Sequence, residues 1–188
     1  MTVRVSLCNE VIRELPFGAQ CEFAHKLGYD GLEIAPFTLR EEPHLLEPGR
    51  RAEIRRAAAE AGIAITGLHY LMLTPKGLSI TSTDAAQRAR TIDVMHRLCD
   101  LAADLGAGLL VHGSPGQRQL QPGKEADGRK HGAGCFAAVA EAAERAGVVY
   151  CIEPLAAQET QFVTTLEEAA AIVRAINSPA LRTMIDCS

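Results

Sequence analysis

Six polar side chains stand directly after short apolar runs of this sequence. They are Asn9, Glu33, His69, His112, Glu153 and Asp186. Carboxylates and imidazoles at the ends of buried segments suit a divalent cation, because buried charge is rarely kept unless it is paired or bound to a metal. A bound cation polarises a substrate carbonyl or hydroxyl group, and a nearby carboxylate can then move the proton at the adjacent carbon. The residue types therefore predict isomerisation or epimerisation of a sugar.

Each of these residues also has a structural explanation. A single histidine at a strand end commonly makes a structural hydrogen bond, and a single acidic residue there commonly caps a helix or lies in a solvated loop. The recurrence at successive strand ends favours a shared site over these separate explanations. Two further charged residues, Arg118 and Lys124, lie in a loop rich in Gly, Gln and Pro. We expect both to be exposed loop charges rather than ligands of a phosphate or carboxylate.

The apolar runs predict β-strands, and amphipathic helices follow them. The predicted strands cover residues 3–8, 31–34, 63–68, 109–111, 148–152 and 181–185. The predicted helices cover residues 17–27, 48–61 and 84–105, with two more that end at 146 and begin at 165. This alternation is typical of an α/β fold in which right-handed crossovers join parallel strands. Two architectures fit it, a doubly wound open sheet and a (β/α) barrel.

The first strand–helix connection argues against a nucleotide site. The segment "SLCNEV" has neither the GxGxxG pattern nor the Walker pattern that would hold phosphates. In a (β/α) barrel, the carboxyl ends of all strands face one side, where active sites are built. Glu153 and Asp186 would end neighbouring strands of such a barrel, so that both carboxylates can reach one ion.

The composition predicts one globular domain over residues 1–188. The net charge is −4, and 47% hydrophobic residues are enough to build a core. No apolar run reaches the roughly 18 residues of a membrane helix, and no signal peptide is visible, so we expect a cytoplasmic protein without a membrane partner. The lack of a Lys/Arg block argues against a nucleic-acid partner. Six cysteines without a CxxC pair predict free, mostly buried thiols.

Five segments resemble one known family. They are "GYDGLEIAPF", "GLHYLM", "LLVHGSPGQR", "CIEPLAAQE" and "SPALRTMID". In this order they are similar to the sugar phosphate isomerase/epimerase family, which belongs to the xylose isomerase-like TIM barrel superfamily. The resemblance implies an α/β fold of the (β/α) TIM-barrel type. It also implies carbohydrate metabolism, with a small sugar, keto-sugar or polyol derivative as the substrate and a metal-stabilised enediolate in the proton transfer.

The resemblance further implies a divalent metal ion, Mn, Mg, Co or Zn, as the cofactor. Family members hold it with residues from strands five to eight, and Glu153 and Asp186 match the first two of these ligands. Glu153 is also implied as a catalytic acid/base. The residues implied or considered for substrate binding are His69, His112, Glu159 and Glu33. Among these, Glu159 has the spacing from Glu153 that the epimerases use for a substrate contact.

Two features depart from the family pattern. Ala156, Ala157 and Gln158 stand where the epimerases tend to carry Asn and Arg. An eight-stranded barrel takes about 250 residues, whereas six predicted strands occupy the 188 residues here. We therefore expect a barrel truncated at its C-terminus, with six of eight strands and half of the metal ligands. Open edges at strands one and six would then favour pairing into a homo-oligomer.

Other activities stay open from the sequence. Dehydratases and hydroxypyruvate isomerases use the same barrel, and two carboxylates do not distinguish them. A zinc-dependent apurinic endonuclease would also carry His69, His112, Glu153 and Asp186 at its strand ends, although the acidic net charge argues against DNA binding. The last alternative is a non-catalytic truncated barrel that binds a ligand or serves in assembly. Metal stoichiometry would separate them: one ion for an isomerase, more for an endonuclease, none for a non-catalytic barrel.

Overall fold

The computed structural model describes residues 3–187, which form a parallel sheet covered by helices. Over these residues the strands are β1 (Ser6–Cys8), β2 (Gly31–Ile34), β3 (Ala64–Leu68), β4 (Leu109–His112), β5 (Val149–Ile152) and β6 (Leu181–Thr183). The α-helices of the same residues are α1 (Phe17–Lys26), α2 (Pro48–Glu60), α3 (Ala85–Leu105), α4 (Glu125–Ala146) and α5 (Leu166–Ile176). Each strand pairs in parallel with the next one along the chain. A doubly wound sheet would reverse its order at a switch point, so this order establishes a TIM-barrel-like α/β fold, with β1 and β6 at the sheet edges.

The two edge strands are shorter than the sequence predicts. The first was expected over 3–8, but Val5 bonds to the turn before β2: its amide donates to the Asp30 carboxylate at 2.8 Å, and its carbonyl oxygen accepts from the Asp30 amide at 2.8 Å. The last is predicted over 181–185 but ends at Thr183, whose hydroxyl donates to the Ile152 carbonyl oxygen at 2.8 Å. The strands between them differ from the prediction by at most one residue.

The apolar core lies between the sheet and the helices. Leu110 of β4 and Ile152 of β5 are fully buried on the sheet side, facing buried residues of the helix layer such as Met95 of α3 and Phe136 of α4. All six cysteines are free thiols within residues 3–187, as the sequence predicts. The buried ones are Cys21, Cys99, Cys135 and Cys151. These thiols act as small apolar side chains, and burial raises their pKa.

The helix ends follow the signals in the sequence. Gly106 and Gly147 come directly after α3 and α4 with φ angles of 79° and 70°, the left-handed conformation that glycine adopts without strain. The Thr165 hydroxyl accepts a hydrogen bond from the Glu168 amide at 3.2 Å, so α5 begins with the predicted cap. None of the helices within residues 3–187 has the length and apolar character needed to cross a membrane.

Gly132 lets α4 pack closely against Phe162, and this contact gives a testable prediction. A Cβ at Gly132 would overlap the Phe162 ring, whereas the space around Gly134 is open. Gly132→Ala is expected to lower the free energy of unfolding by about 1–3 kcal/mol through overpacking. Gly134→Ala, the matched control in the same helix, should raise it by roughly 0.5–1 kcal/mol because alanine is the better helix former. Urea denaturation measures both, and equal stabilities of the two variants would contradict the contact.

Candidate functional site

Glu153 and Asp186 meet at the carboxyl ends of β5 and β6. Glu153 directly follows β5 and is 4% exposed, whereas Asp186 lies in the irregular segment after β6 and is exposed. Their side chains lie close enough to interact, and the pKa of Glu153 is raised to about 7. Burial is the largest cause, followed by the hydrogen bond to Asp186 and its negative charge, while the charge of Arg118 acts in the opposite direction. Such a pair of carboxyl groups is stabilised by a shared proton or by a cation.

The Glu153 carboxylate lies against the backbone of Gly113, the residue that follows β4. A Cβ on Gly113 would overlap Oε2 of Glu153, so the absence of a side chain at this position leaves the space that the carboxylate occupies. The strand ends are joined beside it, because the Glu153 amide donates to the His112 carbonyl oxygen at 3.3 Å. The position of the acidic group therefore depends on the end of β4 as well as on its own strand.

A second polar group lies at the ends of β2 and β3. His69 Nδ1 is 3.8 Å from Glu33 Oε2, with side chains 22% and 27% exposed. The Tyr70 ring meets the His69 ring edge-on, with 4.6 Å between the ring centroids. Burial, followed by nearby negative charges of which Glu10 is the largest, raises the pKa of Tyr70. The strand-end pattern does not identify Tyr70, because it lies one position beyond His69.

Asn9, after β1, is a structural residue. It is fully buried, and its Nδ2 donates to Gln20 Oε1 at 3.0 Å and to Thr38 Oγ1 at 2.8 Å. Its Oδ1 accepts from the Ala35 amide at 2.8 Å. Asn9 therefore uses its side chain to join β1 to α1 and to the segment after β2. This is a structural role rather than a role in binding a metal ion or substrate.

The side chain of His112 packs among aromatic rings. Its ring is fully buried and contacts the rings of Phe136 and Tyr150, with centroid distances of 5.3 and 5.8 Å. Nδ1 is 2.8 Å from the Tyr150 hydroxyl, and Nε2 has no hydrogen-bond partner within residues 3–187. Burial, followed by the charge of Arg118, holds the pKa of His112 well below its usual value, so the ring is neutral. Substrate contact by His112 stays a prediction, and its full burial against α4 argues against it.

Glu159 lies in a groove that begins at Gly113. The groove has a volume of about 550 Å³, and Tyr70, Lys76 and Leu73 also line it. Glu159 is exposed, and its Oε2 accepts from the Ala156 amide at 3.3 Å. A groove of this volume is within the range of small-molecule sites. The structure thus brings Glu159 to the side of the strand ends that carries Glu153, and its predicted contact with a substrate stays a prediction.

Arg118 is buried, which corrects the expectation of an exposed loop charge. It ends the 3₁₀ helix Pro115–Arg118, and its side chain has no exposed surface. Nη1 donates to the Glu153 carbonyl oxygen at 2.6 Å, and Nη2 donates to the His112 carbonyl oxygen. The sequence carries no signal for this arrangement, because backbone carbonyl groups are present at every position. Lys124, the other charged residue of the loop, is exposed as expected.

The donor set fits a cation only in part. Within residues 3–187 there is no group of three or more His, Cys, Asp or Glu side chains that could hold a metal ion by themselves. Glu153 and Asp186 would supply carboxylate oxygens, which hard divalent cations prefer, and water or substrate oxygens can complete such a shell. The closeness of the buried Glu153 to the exposed Asp186 suits a positive ion placed between them.

Parallel strands in chain order, with acidic residues after their carboxyl ends, define a TIM-barrel-like protein whose polar site lies on the strand-end side. The family comparison agrees. Residues 21–188 match the model of the family described as xylose isomerase-like TIM barrel, and the chain belongs to this family.

Solved structures with this fold include two sugar epimerases. A D-psicose 3-epimerase matches with a TM-score of 0.81 and 23% identity over 97% of this chain and 63% of its own. The 3-keto-D-glucoside 4-epimerase from E. coli matches with a TM-score of 0.77 and 17% identity over 97% of this chain and 67% of its own. A protein from Sinorhizobium meliloti 1021 matches with a TM-score of 0.76 and 27% identity over 97% and 62%. The chain thus spans 63% of the length of the D-psicose 3-epimerase. No curated protein matches the sequence.

Proposed function

We propose that this protein is a divalent-metal-dependent isomerase or epimerase of a small sugar, keto-sugar or polyol derivative. The observation that carries the proposal is the pairing of Glu153 and Asp186 at the strand ends, where burial and the neighbouring Asp186 raise the pKa of Glu153 to about 7. Membership of the xylose isomerase-like family supports it. So does the similarity in fold to epimerases that act on D-psicose and on 3-keto-D-glucoside.

Glu153 is the proposed acid/base. With a pKa of about 7, it can take up and return a proton near neutral pH. Removal of the proton from the carbon beside the substrate carbonyl sends the electron pair onto the carbonyl oxygen and gives an enediolate. Return of the proton by Glu153 to the neighbouring carbon yields the isomer, whereas the epimer requires a second acid that delivers a proton to the opposite face of the same carbon. A divalent cation held by Glu153 and Asp186 would polarise the carbonyl group when bound.

Other residues near the strand ends and the groove suit a polyhydroxylated substrate. Glu33 and His69 present hydrogen-bonding atoms for sugar hydroxyl groups, and both are partly exposed. Tyr70 is 40% exposed beside them and offers an aromatic surface that can cover the substrate and exclude water. Glu159, at the groove, is the proposed contact to a substrate hydroxyl further from the acidic pair.

The alternatives differ in how well the geometry suits them. Dehydratase and hydroxypyruvate isomerase-type reactions begin with the same proton removal, so the acidic pair serves them equally. The endonuclease alternative needs His112 as a zinc ligand, but its ring is fully buried against Phe136 and Tyr150. The net charge of −4 also disfavours a DNA substrate.

Deuterium exchange tests the proposal without knowledge of the product. The protein is incubated in D₂O with Mn²⁺ and D-fructose or D-psicose, and NMR follows the loss of substrate C–H signals. We expect exchange at the carbon beside the ketone and its loss when EDTA removes the metal. A protein that binds no Mn²⁺ and catalyses no exchange in either ketose would contradict the proposal and favour a non-catalytic barrel.

Gly113 provides a test of the acidic pair, because the Glu153 carboxylate lies against the backbone of Gly113. Gly113→Ala places a methyl group where the Glu153 carboxylate lies, so this carboxylate must move. We expect Mn²⁺ affinity to fall about 10- to 100-fold, the usual effect of disturbing the surroundings of a metal ligand. Gly116→Ala, in the same loop but with open space around it, is the matched control and should bind Mn²⁺ as the wild type does. Isothermal titration measures both, and equal affinities would show that the carboxylate is placed differently.

A further inference from the structure

We propose that Arg118 is a positioning residue for the reaction, because it holds the main chain on both sides of the Glu153 carboxylate. This inference rests on the proposed function, in which Glu153 is the acid/base and a metal ligand. Arg118 itself would touch neither substrate nor metal. Its guanidinium group acts through the backbone of the two strands that frame the acidic side chain.

The burial of Arg118 calls for an explanation beyond ordinary ion pairing. The side chain is fully buried, and no carboxylate lies within ion-pair distance of it among residues 3–187. Burial lowers the pKa of Arg118 to about 10, which still leaves it protonated at neutral pH. Its Nε has no hydrogen-bond partner among the described residues. A buried cation of this kind is costly, so its retention indicates a role in specifying the local geometry.

The hydrogen bonds of Arg118 define that geometry. Nη1 donates to the carbonyl oxygen of Glu153 at 2.6 Å, and Nη2 of the same planar group donates to that of His112. One rigid fork therefore fixes the ends of β5 and β4 relative to each other. Gly113, the next residue after His112, is the one against which the Glu153 carboxylate lies. The fork thus fixes both the backbone that carries the carboxylate and the surface on which it rests.

Arg118 also joins this arrangement to the groove. The Arg118 carbonyl oxygen accepts from the buried Thr160 hydroxyl at 3.1 Å, and Thr160 follows the candidate substrate residue Glu159. The 3₁₀ helix Pro115–Arg118 supplies groove-lining residues up to Gln117. Arg118 therefore holds Glu153 and the β4 end through its side chain, and the segment that carries Glu159 through its own carbonyl oxygen.

Two variants of the full chain test this role through Mn²⁺ affinity. Arg118→Met removes the fork, and Arg118→Lys keeps the charge but replaces the planar fork by a single ammonium group. We expect Mn²⁺ affinity to fall about 10- to 100-fold in Arg118→Met and by a smaller factor in Arg118→Lys. Gly132→Ala, destabilised at α4, is the control for a general loss of stability and should keep the wild-type affinity. Wild-type affinity in a folded Arg118→Met or Arg118→Lys protein would overturn the proposal.

Hydrogen–deuterium exchange provides a readout that needs no metal and separates the two proposals. In Arg118→Lys we expect faster exchange in peptides covering 112–118 and 153–160, with the rest of the chain unchanged. Gly132→Ala should instead speed exchange around α4. If the wild type binds no Mn²⁺ while Arg118→Lys shows this local pattern, the metal-dependent function fails and the positioning role stands. Uniform or absent changes in exchange would overturn the positioning role regardless of metal binding.

Discussion

Glu153→Gln is expected to fold as the wild type does and to lose deuterium exchange into substrate by about 10³-fold or more, because the amide can neither take up the proton nor bind a cation with its former charge. Gln has nearly the same shape as Glu, so the contact with Gly113 and the backbone bonds from Arg118 are kept. NMR exchange rates and Mn²⁺ titration measure the two losses separately.

The control for this variant is Glu144→Gln, an exposed acid in the last turn of α4, which leads into the amino end of β5 rather than the carboxyl end that carries Glu153. It makes the same chemical change and should keep wild-type exchange and Mn²⁺ affinity. A Glu153→Gln protein that exchanged deuterium at the wild-type rate would end the assignment of Glu153 as the acid/base. Retained Mn²⁺ binding with lost exchange would leave the acid/base role intact and remove Glu153 from the metal ligands.

The same substitution has an expected effect on stability in metal-free buffer. Since the pKa of Glu153 is raised from 4.5 to about 7 in the folded protein, the folded state binds more protons than the unfolded chain between these values. The stability from this group is fully present below pH 4.5 and is lost as the pH rises through about 7. Urea unfolding across this range should show a smaller decline with pH in Glu153→Gln than in the wild type. A steeper decline in the variant would reverse the sign and contradict the raised pKa.

Asn9→Ala is expected to cause a large loss of stability, about 3 kcal/mol in the free energy of unfolding. The substitution leaves the buried Ala35 amide without its acceptor and removes the donor to Gln20 and Thr38. A single unsatisfied buried polar group costs about 1–3 kcal/mol, and the small cavity adds to this. Urea denaturation of the variant measures the loss.

Gln121→Ala is the control for Asn9→Ala. Its side chain is exposed and accepts one long hydrogen bond of 3.4 Å from the Thr83 hydroxyl, so its removal should change stability by less than about 0.5 kcal/mol. Asn9→Asp keeps an acceptor for the Ala35 amide but turns a buried carboxyl group toward Gln20 Oε1, so it should be at least as destabilised as Asn9→Ala. An Asn9→Ala protein as stable as Gln121→Ala would contradict the structural role of Asn9 and make it again a candidate residue of the site.

The predictable part of the fold comes from patterns that local sequence encodes. Apolar runs alternate with amphipathic segments, and glycines such as Gly106 and Gly147 mark helix ends, so the inner strands and the helices are predicted closely. Edge strands are less predictable, because their ends depend on single side chains such as Asp30 and Thr183 that compete with the ladder. The resemblance to a family supplies the TIM-barrel type, which alternation alone leaves undecided.

The predictable part of the site is the meeting of Glu153 and Asp186, because neighbouring parallel strands bring their ends together. Residue type at a strand end does not tell which way the side chain points, and this limits the other predictions. Asn9 turns into a structural network, and His112 turns toward α4. The burial of Arg118 depends on backbone carbonyl groups that no sequence pattern records.

The hydrogen bonds from Arg118 to two carbonyl oxygens have a consequence for the redesign of this protein. Every residue type presents the same carbonyl oxygen, so the hold on positions 112 and 153 does not depend on which side chains stand there. We therefore expect the main chain at position 153 to keep its place when Glu153 is exchanged for Asp, His or Cys. The strand ends thus form a backbone support for different reactive groups. The space beside Gly113 limits the size of the side chain that can stand at position 153.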